Sequence, residues 1–221
     1  MNYNVGIIDD DETKITHLLT YLELGWDDND GKLLKEQYGD VKLFPQKIDL
    51  EDNINSMVEK ICVANFDALV IDYKLSSQQN VSYSGISLAK AIDNKLRGFP
   101  IFILTSYQDD LYAKECFDVY QVFEFGRYIG DFNERIEINS KIVEQIRKYN
   151  KTIEQWKAEL SELLPEIGTN VYVDEKIVEL DTLIENSIDG TSALSPKMKN
   201  ELGANHIQAL IDKIDEIIAE E

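Results

Sequence analysis

The stretch FDALVID, Phe66 to Asp72, is a short apolar run that closes on a carboxylate. It is too short for a stable helix and has no polar face, so it reads as a strand buried on both sides. Two other runs share its form. YNVGII, Tyr3 to Ile8, leads into Asp9, Asp10 and Asp11, and PIFIL, Pro100 to Leu104, leads into Thr105 and Ser106. Weaker strand patterns lie at Val41 to Phe44 and Gln121 to Phe125. Between the strands come helical patterns: Ile15, Leu18, Leu19 and Leu22; Ile54, Met57, Val58 and Ile61; GISLAKAI, Gly85 to Ile92; and a further one over Asp109 to Cys116. Strands alternating with helices require parallel crossovers. The expected fold class is therefore α/β, a doubly wound five-stranded parallel sheet.

From Asn133 onward strands cease and helical periodicity takes over. Ile142, Ile146, Tyr149, Ile153, Trp156, Leu160 and Leu163 recur at spacings of four and three, the seam of a coiled coil or of a helix packed on its own chain. Pro165 and Gly168 should end it, and two amphipathic segments follow, through Ile177, Leu180, Ile184 and Ile188 and through Ile207, Leu210, Ile211, Ile214 and Ile217. Residues 1–132 are thus expected to form the sheet domain, and 133–221 a C-terminal α-helical appendage with a possible homodimer seam.

The net charge of −20 argues against nucleic-acid and anionic membrane partners, since both would repel the chain. From Asn150 to the end, six lysines face sixteen carboxylates, which leaves no basic patch in the appendage. Protein–protein contact is the expected output. No apolar run reaches a membrane span and no secretory leader pattern is present. Cys62 and Cys116 lie in apolar stretches and read as reduced thiols of a cytoplasmic protein.

On open parallel sheets, ligands bind at the carboxyl ends of the strands. Three such ends here carry Asp9 and Asp10, Asp72, and Thr105. Crowded carboxylates suit Mg²⁺, which prefers oxygen ligands and keeps several waters. A carboxylate beside it can attack phosphorus and become an acyl phosphate. His17 and His206 have no sequence partner and read as ordinary residues; Asp11 and Glu12 suit the start of the first helix.

The strands and the Asp9/Asp10, Asp72 and Thr105 set together resemble the receiver domains of two-component response regulators, a bacterial phosphorelay family. VGIIDDDE (Val5 to Glu12) is similar to the family's first strand and acidic pair, FDALVIDYKL (Phe66 to Leu75) to its phosphoacceptor strand, SGISLAKAI (Ser84 to Ile92) to the glycine-led helix after it, and FPIFILTS (Phe99 to Ser106) to its hydroxyl-bearing strand. The resemblance implies a receiver-like, flavodoxin-like fold over roughly the first 130 to 150 residues. It implies Asp72 as phosphoacceptor, Asp9, Asp10, Asp72 and the backbone carbonyl of Lys74 as Mg²⁺ ligands, and Thr105 as the hydroxyl on the phosphoryl group. The donor would be a histidine kinase or phosphotransfer protein, and the output a downstream protein partner. Switching would involve an aromatic on the last strand, among Phe123, Phe125 and Tyr128. The family's lysine at the end of the fifth strand has no counterpart in QVFEFGRYIGD (Gln121 to Asp131), where Arg127 lies at about the right distance to substitute.

Two other readings stay open. One is a pseudo-receiver, the same fold used as a protein-binding module without phosphorylation. The other is a phosphatase of the haloacid-dehalogenase class, whose DxDxT opening is matched by Asp9, Asp11 and Thr13. There Asp9 would be nucleophile and Asp11 general acid, with FILTS, YIGD and Lys114 for the remaining motifs.

Overall fold

The computed structural model describes residues 1–26, 37–75, 81–106 and 121–188. Five parallel strands form one sheet: β1 (Asn2–Ile8), β2 (Lys42–Lys47), β3 (Ala68–Asp72), β4 (Ile101–Thr105) and β5 (Val122–Glu124). Their spatial order is β2-β1-β3-β4-β5, all pairs parallel. Among the described residues, the helices that accompany the strands are α1 (Glu12–Leu24), α2 (Ile54–Val63), α3 (Gly85–Lys95) and the short α4 (Phe125–Gly130). A long α5 (Phe132–Leu163) and α6 (Val171–Ile188) follow, separated by a 3₁₀ turn at Leu164–Glu166. The expected doubly wound α/β sheet with helical extension is the fold observed. The expected helix over Asp109 to Cys116, the segment through Ile207 to Ile217, His206 and Cys116 lie outside the described residues, and Cys62 is half-buried on α2.

Every residue of β3 and β4 is buried, which explains why their sequences are apolar without alternation. On one face, Val5 and Ile7 of β1, Val70 of β3 and Phe102 and Leu104 of β4 join Ile15, Leu18 and Leu22 of α1 in one apolar cluster. Strand alternation sends Leu69, Ile71, Ile101 and Ile103 to the other face, where α3 packs on β3 and β4 and α2 packs on α3.

The chain divides into two compact units, 1–149 and 150–221. This differs from the boundary expected at 132/133, and the reason is the first half of α5. Ile136, Ile138, Ile142, Val143 and Ile146 belong to the same cluster as α1 and the sheet. Buried polar groups fix the docking. Asn139, fully buried, donates to the carbonyls of Gly25 (3.0 Å) and Tyr21 (3.4 Å) at the end of α1, and accepts from the Tyr128 hydroxyl at 3.1 Å. Nearby, the Trp26 indole donates to Ser140 Oγ (3.3 Å) and stacks on Tyr38 with 5.3 Å between centroids. The start of the heptad seam is therefore core of the sheet domain. Within the second unit, Leu160 and Leu163 pack with Ile177 and Val178 of α6.

Candidate functional site

The chain runs from β1 to the edge strand β2 on one side and then crosses to β3 on the other, so the strand order reverses between β1 and β3. A crevice at the carboxyl ends of such a pair is the usual ligand position. In this sheet Ile8 pairs with Ile71 and Asp72 with Leu104, which sets Asp9 beside Asp72 and Thr105 one residue beyond Asp72's partner. Asp9, Asp10, Asp72 and Thr105 are all buried, with exposures of 3%, 5%, 4% and 1%. Each of the three aspartates offers a carboxylate oxygen, and these oxygens lie within 4.8 Å of one another.

Local backbone geometry holds the cluster in place. The Asp11 N–H donates to Asp9 Oδ1 at 2.8 Å, and the Lys74 N–H to Asp72 Oδ2 at 2.9 Å. On the far side Gly85 opens α3, its N–H donating to the Tyr73 carbonyl at 3.0 Å. A Cβ at Gly85 would run into the Asp72 carbonyl, so only glycine lets the helix start against the end of β3. Ser84 caps that helix, its side chain accepting from the Ser87 N–H.

Burial, joined by the charge of Asp72, raises the Asp9 carboxyl from 3.8 to about 7, against the opposing pull of the Asp11 N–H and Lys14. Three buried, crowded oxygen donors are the chemistry a hard divalent cation satisfies, so the residues present fit Mg²⁺.

Arg127 is placed elsewhere. Its guanidinium is 57% exposed and paired with Glu134 of α5. The cause is helical rotation. Tyr128 is the α4 residue that plunges into the core, and its neighbour, turned by about 100°, faces outward. Among the described residues, the cation placed in the site is instead Lys14 of α1, with Nζ 2.7 Å from Asp72 Oδ1 and 3.8 Å from Asp9 Oδ2. Burial pulls its ammonium down, but the hydrogen bond and charge of Asp72, with Asp9 and Asp11, outweigh this and leave the group raised. Sequence reasoning missed Lys14, although a signal exists. Asp11 caps α1 by accepting from the Thr13 and Lys14 N–H groups, which puts Lys14 in the first turn, where the helix dipole disfavours a cation. A lysine there needs nearby anions.

The aromatic candidates separate. Tyr128 is locked by Asn139, and Phe123 stacks on Phe102 at 5.8 Å. Phe125 lies under the Lys14 ammonium, 5.8 Å from ring centroid to Nζ, and edge-on to His17. His17 itself is half-buried and bonded to the Thr13 carbonyl. Two acids invoked for the phosphatase reading serve as caps: Asp11 on α1, and Asp131, which accepts from the N–H groups of Asn133 and Glu134, on α5. Lys114 lies outside the described residues.

No model of a protein family matches the sequence, and no curated relative does. Solved structures do resemble the fold. The anti-anti-sigma factor PhyR from Bartonella quintana is 13% identical, with a TM-score of 0.43 over 70% of this chain and 51% of that one. The apo receiver domain of nitrogen regulatory protein C is 17% identical, with a TM-score of 0.39 over 67% of this chain and 97% of that one. A fusion carrying the yeast Spc42 trimeric coiled coil is 16% identical, with a TM-score of 0.42 over 68% of this chain and 83% of its own. At that distance these likenesses carry no functional argument. Among the described residues, no helix is long and apolar enough to cross a membrane.

Proposed function

We propose that this chain is a receiver-type signalling protein, not an enzyme with turnover, and that Asp72 accepts a phosphoryl group from a histidine kinase or phosphotransfer protein. The observation that carries this reading is the buried trio Asp9, Asp10 and Asp72 at the β1/β3 switch point, with Thr105 at the end of the next strand. Mg²⁺ would be held by Asp9, Asp10, Asp72 and the Lys74 carbonyl. When bound, it supplies charge neutralisation to an otherwise repulsive encounter between carboxylate and phosphate.

The remaining work belongs to side chains. Asp72 Oδ1 attacks phosphorus, and the bond from phosphorus to the donor atom breaks, its electron pair leaving with the donor. Asp72 Oδ2 stays oriented by the Lys74 N–H. Thr105, buried at the end of β4, would donate its hydroxyl to a phosphoryl oxygen. The acidic helical extension suits a protein partner better than a nucleic acid or a membrane, and the setting would be a cytoplasmic bacterial phosphorelay. The capping of α1 by Asp11 and of α5 by Asp131 gives those two acids a structural role and favours the receiver reading over the phosphatase one.

The test is intact-mass analysis after incubation with Mg²⁺ and acetyl phosphate. One phosphoryl group should add to the wild-type chain and none to Asp72→Asn. A pseudo-receiver would take up none from acetyl phosphate or from any kinase.

A further inference from the structure

We infer that Lys14, reaching in from α1, is the cation of the phosphoacceptor site, guarding Asp72 Oδ1 in the resting protein and passing to the phosphoryl oxygens once they are attached. The inference rests on the receiver reading of Asp72, and three observations support it. First, the two oxygens of Asp72 are divided between partners: Oδ2 accepts the Lys74 N–H, and Oδ1 accepts Lys14 Nζ at 2.7 Å. The ammonium therefore sits on Oδ1, the oxygen assigned to attack. Second, Lys14 Nζ also lies 3.8 Å from Asp9 Oδ2 while its side chain remains 20% exposed, so it bridges the two strand ends at the mouth of the site and has room to move outward. Third, Arg127 is committed to Glu134.

The chemistry follows from these positions. Asp72 Oδ1 forms a bond to phosphorus as the bond from phosphorus to the acetate oxygen of acetyl phosphate breaks, and acetate leaves with the electron pair. Lys14 keeps its protons throughout and exchanges a carboxylate oxygen for phosphoryl oxygens two bonds further out. That shift would also alter its position over the Phe125 ring, at present 5.8 Å away at the junction of β5 and α4.

Two measurements on the full chain decide it, with Lys14→Gln, Lys14→Arg and Arg127→Gln beside the wild type. In Mg²⁺ titration calorimetry, Lys14→Gln should bind Mg²⁺ roughly threefold to tenfold more tightly, because the competing ammonium is gone. Arg127→Gln should match the wild type. In the acetyl phosphate reaction followed by intact mass, Lys14→Gln should form adduct at least about tenfold more slowly, with Lys14→Arg partly restored and Arg127→Gln unaffected. A merely structural lysine would not tighten metal binding on removal. Equal Mg²⁺ affinity and equal adduct rates in Lys14→Gln and wild type would overturn the role of Lys14 and leave Asp72 standing. Absence of adduct in the wild type would overturn the receiver reading itself, and the Mg²⁺ comparison would still decide whether Lys14 competes for the carboxylates.

Discussion

Burial and the neighbouring charge of Asp72 hold the Asp9 carboxyl at about 7, against 3.8 in an open chain. Between those values the unfolded chain has released the proton and the folded protein retains it. In metal-free protein the Asp9 contribution to stability therefore falls as pH rises from about 4 to about 7. Thermal melts in EDTA should show that slope, and Asp9→Asn should flatten it. Mg²⁺ needs the deprotonated carboxylates, so its stabilising effect should grow as pH passes through about 7, reaching roughly 2.7 kcal/mol at a hundredfold excess over Kd. Gly85 is the other residue under close constraint. Gly85→Ala should cost about 1–3 kcal/mol and weaken Mg²⁺ binding together, since the new methyl meets the Asp72 carbonyl. Denaturant unfolding and calorimetry would measure both. Sequence alone placed Asp9, Asp10, Asp72 and Thr105 together, because each sits at the end of a strand whose apolar pattern is plain. It did not place the cation, because which helical residue faces a strand end depends on the cap and rotation of α1.

Among the elements, α5 shows most clearly what periodicity leaves undetermined. Its spacing of fours and threes describes an apolar stripe, and a stripe is equally satisfied by a second copy of the chain or by its own sheet. The structure spends Ile142, Ile146 and Tyr149 inside the first unit, and Leu160 and Leu163 against α6. What settles the first half is polar: Asn139 sits within the apolar stripe, and it finds carbonyls at the end of α1. Asn139→Leu should destabilise the protein by about 2–3 kcal/mol, since it strands the Tyr128 hydroxyl and the freed carbonyls. Ile146→Asp should lower the melting midpoint by the same amount at every protein concentration. A coiled-coil dimer held by this half of the seam would instead give a concentration-dependent loss. The short β5 and α4 were harder to anticipate. Only three residues pair with β4, and their half-buried pattern carries little signal.

For the whole molecule, the parallel sheet was legible because β3 and β4 are covered on both faces and so are uniformly apolar. The domain boundary was not, because a helix that belongs to the sheet's core continues without a break into the second unit. An excess of carboxylates over lysines in that second unit predicts no retention on duplex DNA even at low salt, checked by mobility shift. The proposed function turns on one bond, between Asp72 and phosphorus. An acyl phosphate can be reduced by borohydride to an alcohol, which converts a phosphorylated aspartate to homoserine. Borohydride treatment after Mg²⁺ and acetyl phosphate, followed by peptide sequencing, should find homoserine at position 72 and nowhere else. Homoserine at position 9, or at no position, would contradict the account.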